Sequence, residues 1–164
     1  MPERDGYPAG VPCWVDTGQP DPDAAVAFYS GLFGWETLDL GGAEMWRLPG
    51  YGEFLEQGDP GLRKRMAESG APAGFEDVVA SLNPIADHEA DAPAQWGVTF
   101  AVADADATAA RAKELGGRVL APPVDAPWVR MTVIADPQGA TFTASKFVPE
   151  NRDLASRATT ARAA

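Results

Sequence analysis

Residues 11–18, "VPCWVDTG", mix β-branched and aromatic positions and end at a glycine, which predicts a strand. Asp21 then precedes Pro22, a helix start in which the carboxylate caps free N–H groups and proline takes the first helical position. Ala25, Phe28, Tyr29, Leu32 and Phe33 recur at helical spacing up to Gly34, so a helix is expected over 22–33. "WETLDL" and "AEMWRL" follow as short strands. Further on, "WGVTFAVA" (96–103) reads as a strand, Asp104 caps a helix over 104–116, and "GG" ends it. "RVLAPPV" and "WVRMTVIA" are strands, "DPQG" (136–139) is a turn, and "ATFTASKF" is the last strand.

The two halves superpose without gaps. Asp104 lies 83 positions after Asp21, and the same shift pairs Asp23 with Asp106, Ala24 with Ala107, Gly34 with Gly117 and Arg47 with Arg130. At the last strands "AS" (80–81) pairs with "AS" (144–145) at a shift of 64, so the first half carries an insert, placed near 58–74 and read as a short helix between turns. The pattern is that of a duplicated β-α-β-β-β unit. The expected fold class is α+β: two tandem β-α-β-β-β units forming a cup-shaped, mostly antiparallel sheet, with helices on the outside. Residues 1–10 form a polar lead-in, 11–95 the first unit, 96–148 the second, and 149–164 a loosely held tail. A site in the cup between the copies would explain the repeat.

Composition narrows the partners. The net charge of −11, from 24 acidic and 13 basic residues, disfavours a nucleic-acid phosphate backbone. Cys13 is the only cysteine, which excludes an intrachain disulfide and a cysteine-rich metal site. "MPERDGYPAG" has no apolar core like that of a targeting signal, and no apolar run approaches the roughly 20 residues that cross a bilayer. The expectation is a soluble, cytoplasmic protein without a membrane partner.

A paired β-α-β-β-β layout with "AVAFYSGLFGWE" after the first strand and "DPQGATF" before the last resembles the vicinal oxygen chelate superfamily, which includes glyoxalase I, extradiol dioxygenases, fosfomycin resistance enzymes and bleomycin-binding proteins. The likeness covers about residues 11–148. "MWRLPGYGEFLE…GAPAGFEDVVASLNP" looks like an actinobacterial branch called glyoxalase-like. The resemblance implies a divalent metal held by His and Glu inside the cup. Its first ligand would fall seven residues before each capping Asp, at Trp14 and Gly97. The later one would fall at Thr143 and its repeat mate Val79. None of these four supplies an imidazole or carboxylate. The one histidine, His88, lies in the polar "ADHEAD" linker. No cofactor is expected.

With Trp14 pointing into the cup, strand alternation turns Asp16 inward too, and likewise Thr99 beside Gly97, Ser145 beside Thr143 and Ser81 beside Val79. Such a wall suits a ligand with a flat apolar part and polar edges, or else is a polar network filling a collapsed cup. Gly97 leaves room for an indole or for a ligand stacked on it. Trp46, Trp96 and Trp128 lie in or beside strands, as core packing or ligand contacts, and Trp35 reads as structural. Arg47 and Arg130 either face inward to grip a carboxylate or phosphate, or lie outward in solvent. Tyr51 in "PGYGEF" is either a mobile phenol at the cup mouth or a turn aromatic. Asp21, Asp23, Asp104 and Asp106 read as caps and helix-dipole partners, Cys13 as a buried thiol, and "RKR" (63–65) as a solvated face.

The leading expectation is a metal-independent small-molecule binder, for sequestration, carriage or resistance. The alternative is a lyase, isomerase or oxygenase-type enzyme using Asp16 or Tyr51 as proton carrier. A third is a vestigial cup whose edges make contacts. Folds of this kind often pair across sheet edges, so a homodimer stands among the expectations.

Overall fold

A computed structural model describes residues 7–40, 43–85 and 93–154, which leaves His88 outside the described residues. Helix α1 (Pro22–Phe33) starts where its residues dictate: the Asp21 carboxylate accepts the Ala24 N–H at 3.0 Å, and Gly34 closes the helix in the left-handed conformation. Helix α4 (Ala105–Glu114) repeats the device, with Asp104 accepting the Ala107 N–H at 2.8 Å. Around them lie β1 (Pro12–Gln19), β2 (Glu36–Asp39), β3 (Glu44–Arg47), β4 (Val78–Pro84), β5 (Gln95–Ala101), β6 (Arg118–Ala126), β7 (Val129–Ala135) and β8 (Thr141–Phe147). Between β3 and β4 come α2 (Tyr51–Gly58) and α3 (Leu62–Glu68). No helix among the described residues is long and apolar enough to cross a membrane.

The chain divides into two compact units. Among the described residues, the first comprises 15–96 and the second 7–14 with 97–154. Both use one strand order, β2-β3-β4-β1 and β6-β7-β8-β5. In each, three strands run antiparallel and the last pair is parallel: β4 with β1, and β8 with β5. Identical order and direction are what a duplicated β-α-β-β-β unit requires.

The gapless shift stops at the end of the helix, however. Arg47 pairs with Glu36, the first residue of β2, at the open end of its hairpin. Arg130 pairs with Asp125 beside the hairpin turn. The two arginines are therefore not equivalent, and the expected pairing is corrected: the β6–β7 hairpin is longer, so Arg47 lies opposite the first residue of its partner strand as Ala135 does, paired with Arg118. The glycines differ as well. Gly116, not Gly117, takes the left-handed position after α4, with φ +85°. Gly117 is needed for close approach, because a Cβ there would lie 2.9 Å from the Ala135 carbonyl.

The first unit's core forms where α1 meets the sheet. Ala25, Trp46, Ala80 and Leu82 are buried together, with Val15, Tyr29 and Trp35 packed against them. The indole N–H of Trp46 donates to Thr17 Oγ1 at 3.1 Å, so the buried ring leaves no orphan donor. In the second unit Thr132, Ile134 and Ala144 are buried on one side of the sheet, and Ala105 and Ala109 of α4 are buried with them. The short helix expected within 58–74 is α3, and α2 precedes it, in the stretch that reads from sequence as a glycine-flanked turn around Tyr51. The Asp77 carboxylate accepts the Gly52 N–H at 2.8 Å in the first turn of α2, and Glu56 accepts from Gly61 and Arg63 at the start of α3.

Candidate functional site

Strand alternation and register divide each sheet into a side that meets its helix and a side that does not. In the first unit Val15, Thr17, Trp46, Ala80 and Leu82 point to α1, so Asp16, Met45, Ser81 and Asn83 point the other way. Asp16 is aligned with Ser81, and Ser81 with Met45, in one row across three strands. In the second unit Arg130 reaches Asp106 of α4, which places Arg130, Thr132, Ile134 and Ala144 on the helix side. Thr99, Thr143 and Val133 then form one row of the opposite face, and Ala101, Ser145 and Met131 the next. Thr99 and Ser145 are each 8% exposed. Apolar side chains broken by a few placed hydroxyls make a surface suited to a small organic molecule.

Asp16 carries the most distinctive chemistry on the first unit's face. It is half-buried, and burial pushes its carboxyl above the usual range against the opposing pull of a hydrogen bond from the Asn83 side chain. The sign of its contribution follows. Below the ordinary carboxylate pKa the group is protonated whether folded or unfolded and costs nothing. As pH rises through the raised folded pKa, the fold must hold a poorly solvated charge and loses stability. Asp16→Asn is therefore expected to stabilise the protein at pH 7, and the gain should close as pH falls into the carboxylate range. Urea denaturation at several pH values reads this directly. A gain that does not change with pH would mean that the carboxylate is well solvated.

The other expected residues fall in different settings. Trp14 lies on β1 in phase with Asp16 and is half-buried, as is Gly97 on β5. Val79, in phase with Ser81 on β4, is half-buried and touches the core cluster, and the β3–β4 register shifts beside it, between Trp46 and Arg47. Arg47 is neither a free ligand contact nor fully solvated: its Nε donates to Glu36 at 3.0 Å. Arg130 grips Asp106 with two hydrogen bonds, 2.6 and 2.8 Å, and lies 3.2 Å from Asp125. These partners push its already high pKa further up, and its hydrogen bonds hold Asp106 below the usual carboxylate range. Its guanidinium is thus engaged on the helix side of the second unit rather than on the candidate face. Tyr51 is not on an open turn: it begins α2 and stacks on Phe54, with ring centroids 6.4 Å apart. Trp128 occupies the β6–β7 turn and lies parallel to Phe147. Cys13 is half-buried, and its thiol, pushed up by desolvation, contacts the Thr99 carbonyl at 3.5 Å.

Sequence reasoning missed Met45, Asn83, Met131 and Phe147. Asn83 and Phe147 were within reach, since each lies two residues beyond an expected serine on its strand. The two methionines required the hairpin registers, which no local pattern encodes.

The family model of the glyoxalase-like domain matches residues 14–145, most of the chain. The chain belongs to the glyoxalase-like domain family. It is 34% identical over 138 residues to the anthracycline biosynthesis protein DnrV of Streptomyces peucetius, covering 83% of this chain and 46% of that protein. It is 33% identical over 144 residues to the putative glyoxylase CFP32 of Mycobacterium bovis, covering 86% and 46%. The chain thus spans less than half the length of these relatives. Among solved structures, methylmalonyl-CoA epimerase from Mycobacterium tuberculosis matches with a TM-score of 0.50 at 16% identity, over 87% of this chain and 91% of that one; the likeness is one of fold. The family places this chain in the vicinal oxygen chelate superfamily.

The superfamily's divalent metal does not fit the residues present. Its ligand positions carry an indole, a bare glycine, a hydroxyl and an isopropyl group at Trp14, Gly97, Thr143 and Val79. Among the described residues no three His, Cys, Asp or Glu side chains gather where they could hold an ion.

Proposed function

We propose that this glyoxalase-like protein binds a small organic molecule with a planar aromatic part, without a metal, for sequestration, carriage or resistance in the cytoplasm. The observation that carries this reading is the helix-free face of the second unit, where Thr99, Thr143 and Ser145 stand among Met131, Val133 and Ala101. Hydroxyls in such a wall can orient polar edges while the apolar groups cover a ring. The similarity to an anthracycline biosynthesis protein is consistent with a ligand of that general shape. Purified protein is expected to contain no stoichiometric zinc, iron, nickel or manganese by elemental analysis, and to melt at the same temperature with or without them. A panel of aromatic metabolites and antibiotics should contain compounds that raise the melting temperature, as binding to the folded state alone must. Thr143→Val together with Ser145→Val should weaken that shift. A metal-dependent melting shift abolished by a change on either helix-free face would overturn the metal-free part, and a panel without any shift would overturn the binding part.

Asp16 favours a second reading. A half-buried carboxyl held above its usual range is closer to the pKa of a useful proton carrier, and Ser81 and Asn83 share its face. In that reading the protein is a metal-free lyase or isomerase, and Asp16→Asn would abolish turnover while leaving ligand binding intact.

A further inference from the structure

Among the described residues Trp128 is the one non-glycine with positive φ, at +68°. The cause lies in its hairpin. Ala126 pairs with Val129, leaving Pro127 and Trp128 as a two-residue loop. The proline ring fixes the first position at negative φ, so the left-handed position falls to the second. Glycine or asparagine takes that position at little cost, whereas a bulky side chain is strained there. The surroundings hold Trp128 in place nonetheless. The Val148 N–H donates to the Trp128 carbonyl at 2.7 Å, and Asn151 Nδ2 donates to the Val129 carbonyl at 3.1 Å and to Asp125 at 3.2 Å. The 3-10 turn Pro149–Asp153, which supplies Asn151, thereby clamps the hairpin from one side.

The conformation aligns a ring. The Trp128 indole lies parallel to the Phe147 ring, with an interplanar angle of 3° and centroids 6.2 Å apart. Phe147 is 59% exposed, and Val124, paired with Met131, is exposed nearby on the same face. A side chain kept in a strained conformation without being buried is seldom there for packing, and strain of this kind gathers at ligand-holding positions.

We propose that Trp128 and Phe147 form a preorganised stacking platform for a planar aromatic group that carries no negative charge. This rests on the binding reading above and assigns its ring-holding contact. The charge preference follows from the surroundings. The nearby cations Arg130 and Lys146 are paired across β7 and β8 and so lie on the helix side, Arg130 engaged by Asp106 and Asp125, and the chain's net charge of −11 repels anions.

The test uses 9-aminoacridine as a planar cation and 9-anthracenecarboxylate as a planar anion, with affinities from calorimetry at low salt. The intact protein should bind the cation about tenfold or more tightly than the anion. Trp128→Gly should weaken acridine binding by about tenfold while leaving the melting temperature unchanged or raised, since glycine relieves the strain. Trp128→Phe, which keeps a ring, should retain affinity within about threefold. Unaltered acridine binding by Trp128→Gly, a steep fall in its melting temperature, or no acridine binding by the intact protein would each overturn the platform. Weakening by Thr143→Val with Ser145→Val but not by Trp128→Gly would overturn the platform and leave the broader binding reading standing.

Discussion

Trp46→Ala is expected to cost about 3–5 kcal/mol of folding stability, the largest loss from a single side chain in the first unit. The indole is 0% exposed, and its truncation would open a cavity among Ala25, Ala80 and Leu82. It would also remove the edge contact with Tyr29 at 5.4 Å and the tilted contact with Trp35 at 5.8 Å. The hydrogen bond adds a second, separable effect. Trp46 donates to Thr17, whose own hydroxyl donates to the Ser81 carbonyl at 3.4 Å. Trp46→Phe keeps much of the volume and removes the donor, so a smaller loss of about 1–2 kcal/mol is expected. Thr17→Val should cost about 1–3 kcal/mol, because it strands the indole N–H in the core. The double variant should then cost less than the two single losses added together, since no polar atom is left unpaired. Urea denaturation of the unaltered protein and the four variants reads all of this. Strict additivity would show that the bond contributes nothing.

Trp46 also shows where the sequence was legible. The helix boundaries at Asp21, Gly34 and Asp104 followed from local chemistry, because a cap or a left-handed glycine acts within a few residues. The β-α-β-β-β order followed from the repeat of those same landmarks. Register did not follow, since it is fixed by pairing across strands. The Arg47–Arg130 match failed for that reason: the hairpin of the second unit is longer, and the sequence between the landmarks does not mark where the extra residues lie. For the candidate site, alternation correctly grouped Asp16 with Ser81, and Thr143 with Ser145, on helix-free faces. It could not reveal that Arg130 has two carboxylate partners, one of them on a helix 24 positions earlier. The strain at Trp128 was partly visible, since proline before a bulky residue in a tight turn leaves the second position few choices.

Leu62→Ala carries the second large expectation, a loss of about 2–5 kcal/mol. Its side chain is 1% exposed, and Met66, one turn further along α3, is 8% exposed. Both lie in the segment that reads from sequence as an excursion with a solvated basic face, and that description suits only its outer side. Arg65 pairs with Asp59 at 2.6 Å, Arg63 approaches Glu76 at 3.4 Å, and Lys64 approaches Glu68 at 3.7 Å, all exposed contacts of small energetic weight. The inner side is tied more firmly. Glu56 accepts the Gly61 N–H at 2.6 Å and the Arg63 N–H at 2.9 Å, and these bonds hold its carboxyl below the usual range. Gly52 passes so close to Glu76 that a Cβ there would lie 2.5 Å from its Cγ. A segment fixed at its capping bonds, at a glycine contact and at two buried apolar side chains should unfold with the first unit. Leu62→Ala should accordingly lower the global urea midpoint. Were α3 instead an appendage, the midpoint would stay put and only the amides of 62–68 would exchange faster, because local opening can expose a segment without the global transition. Hydrogen exchange measured beside the denaturation curve separates the two outcomes, and the depth of Leu62 is the reason to expect the first.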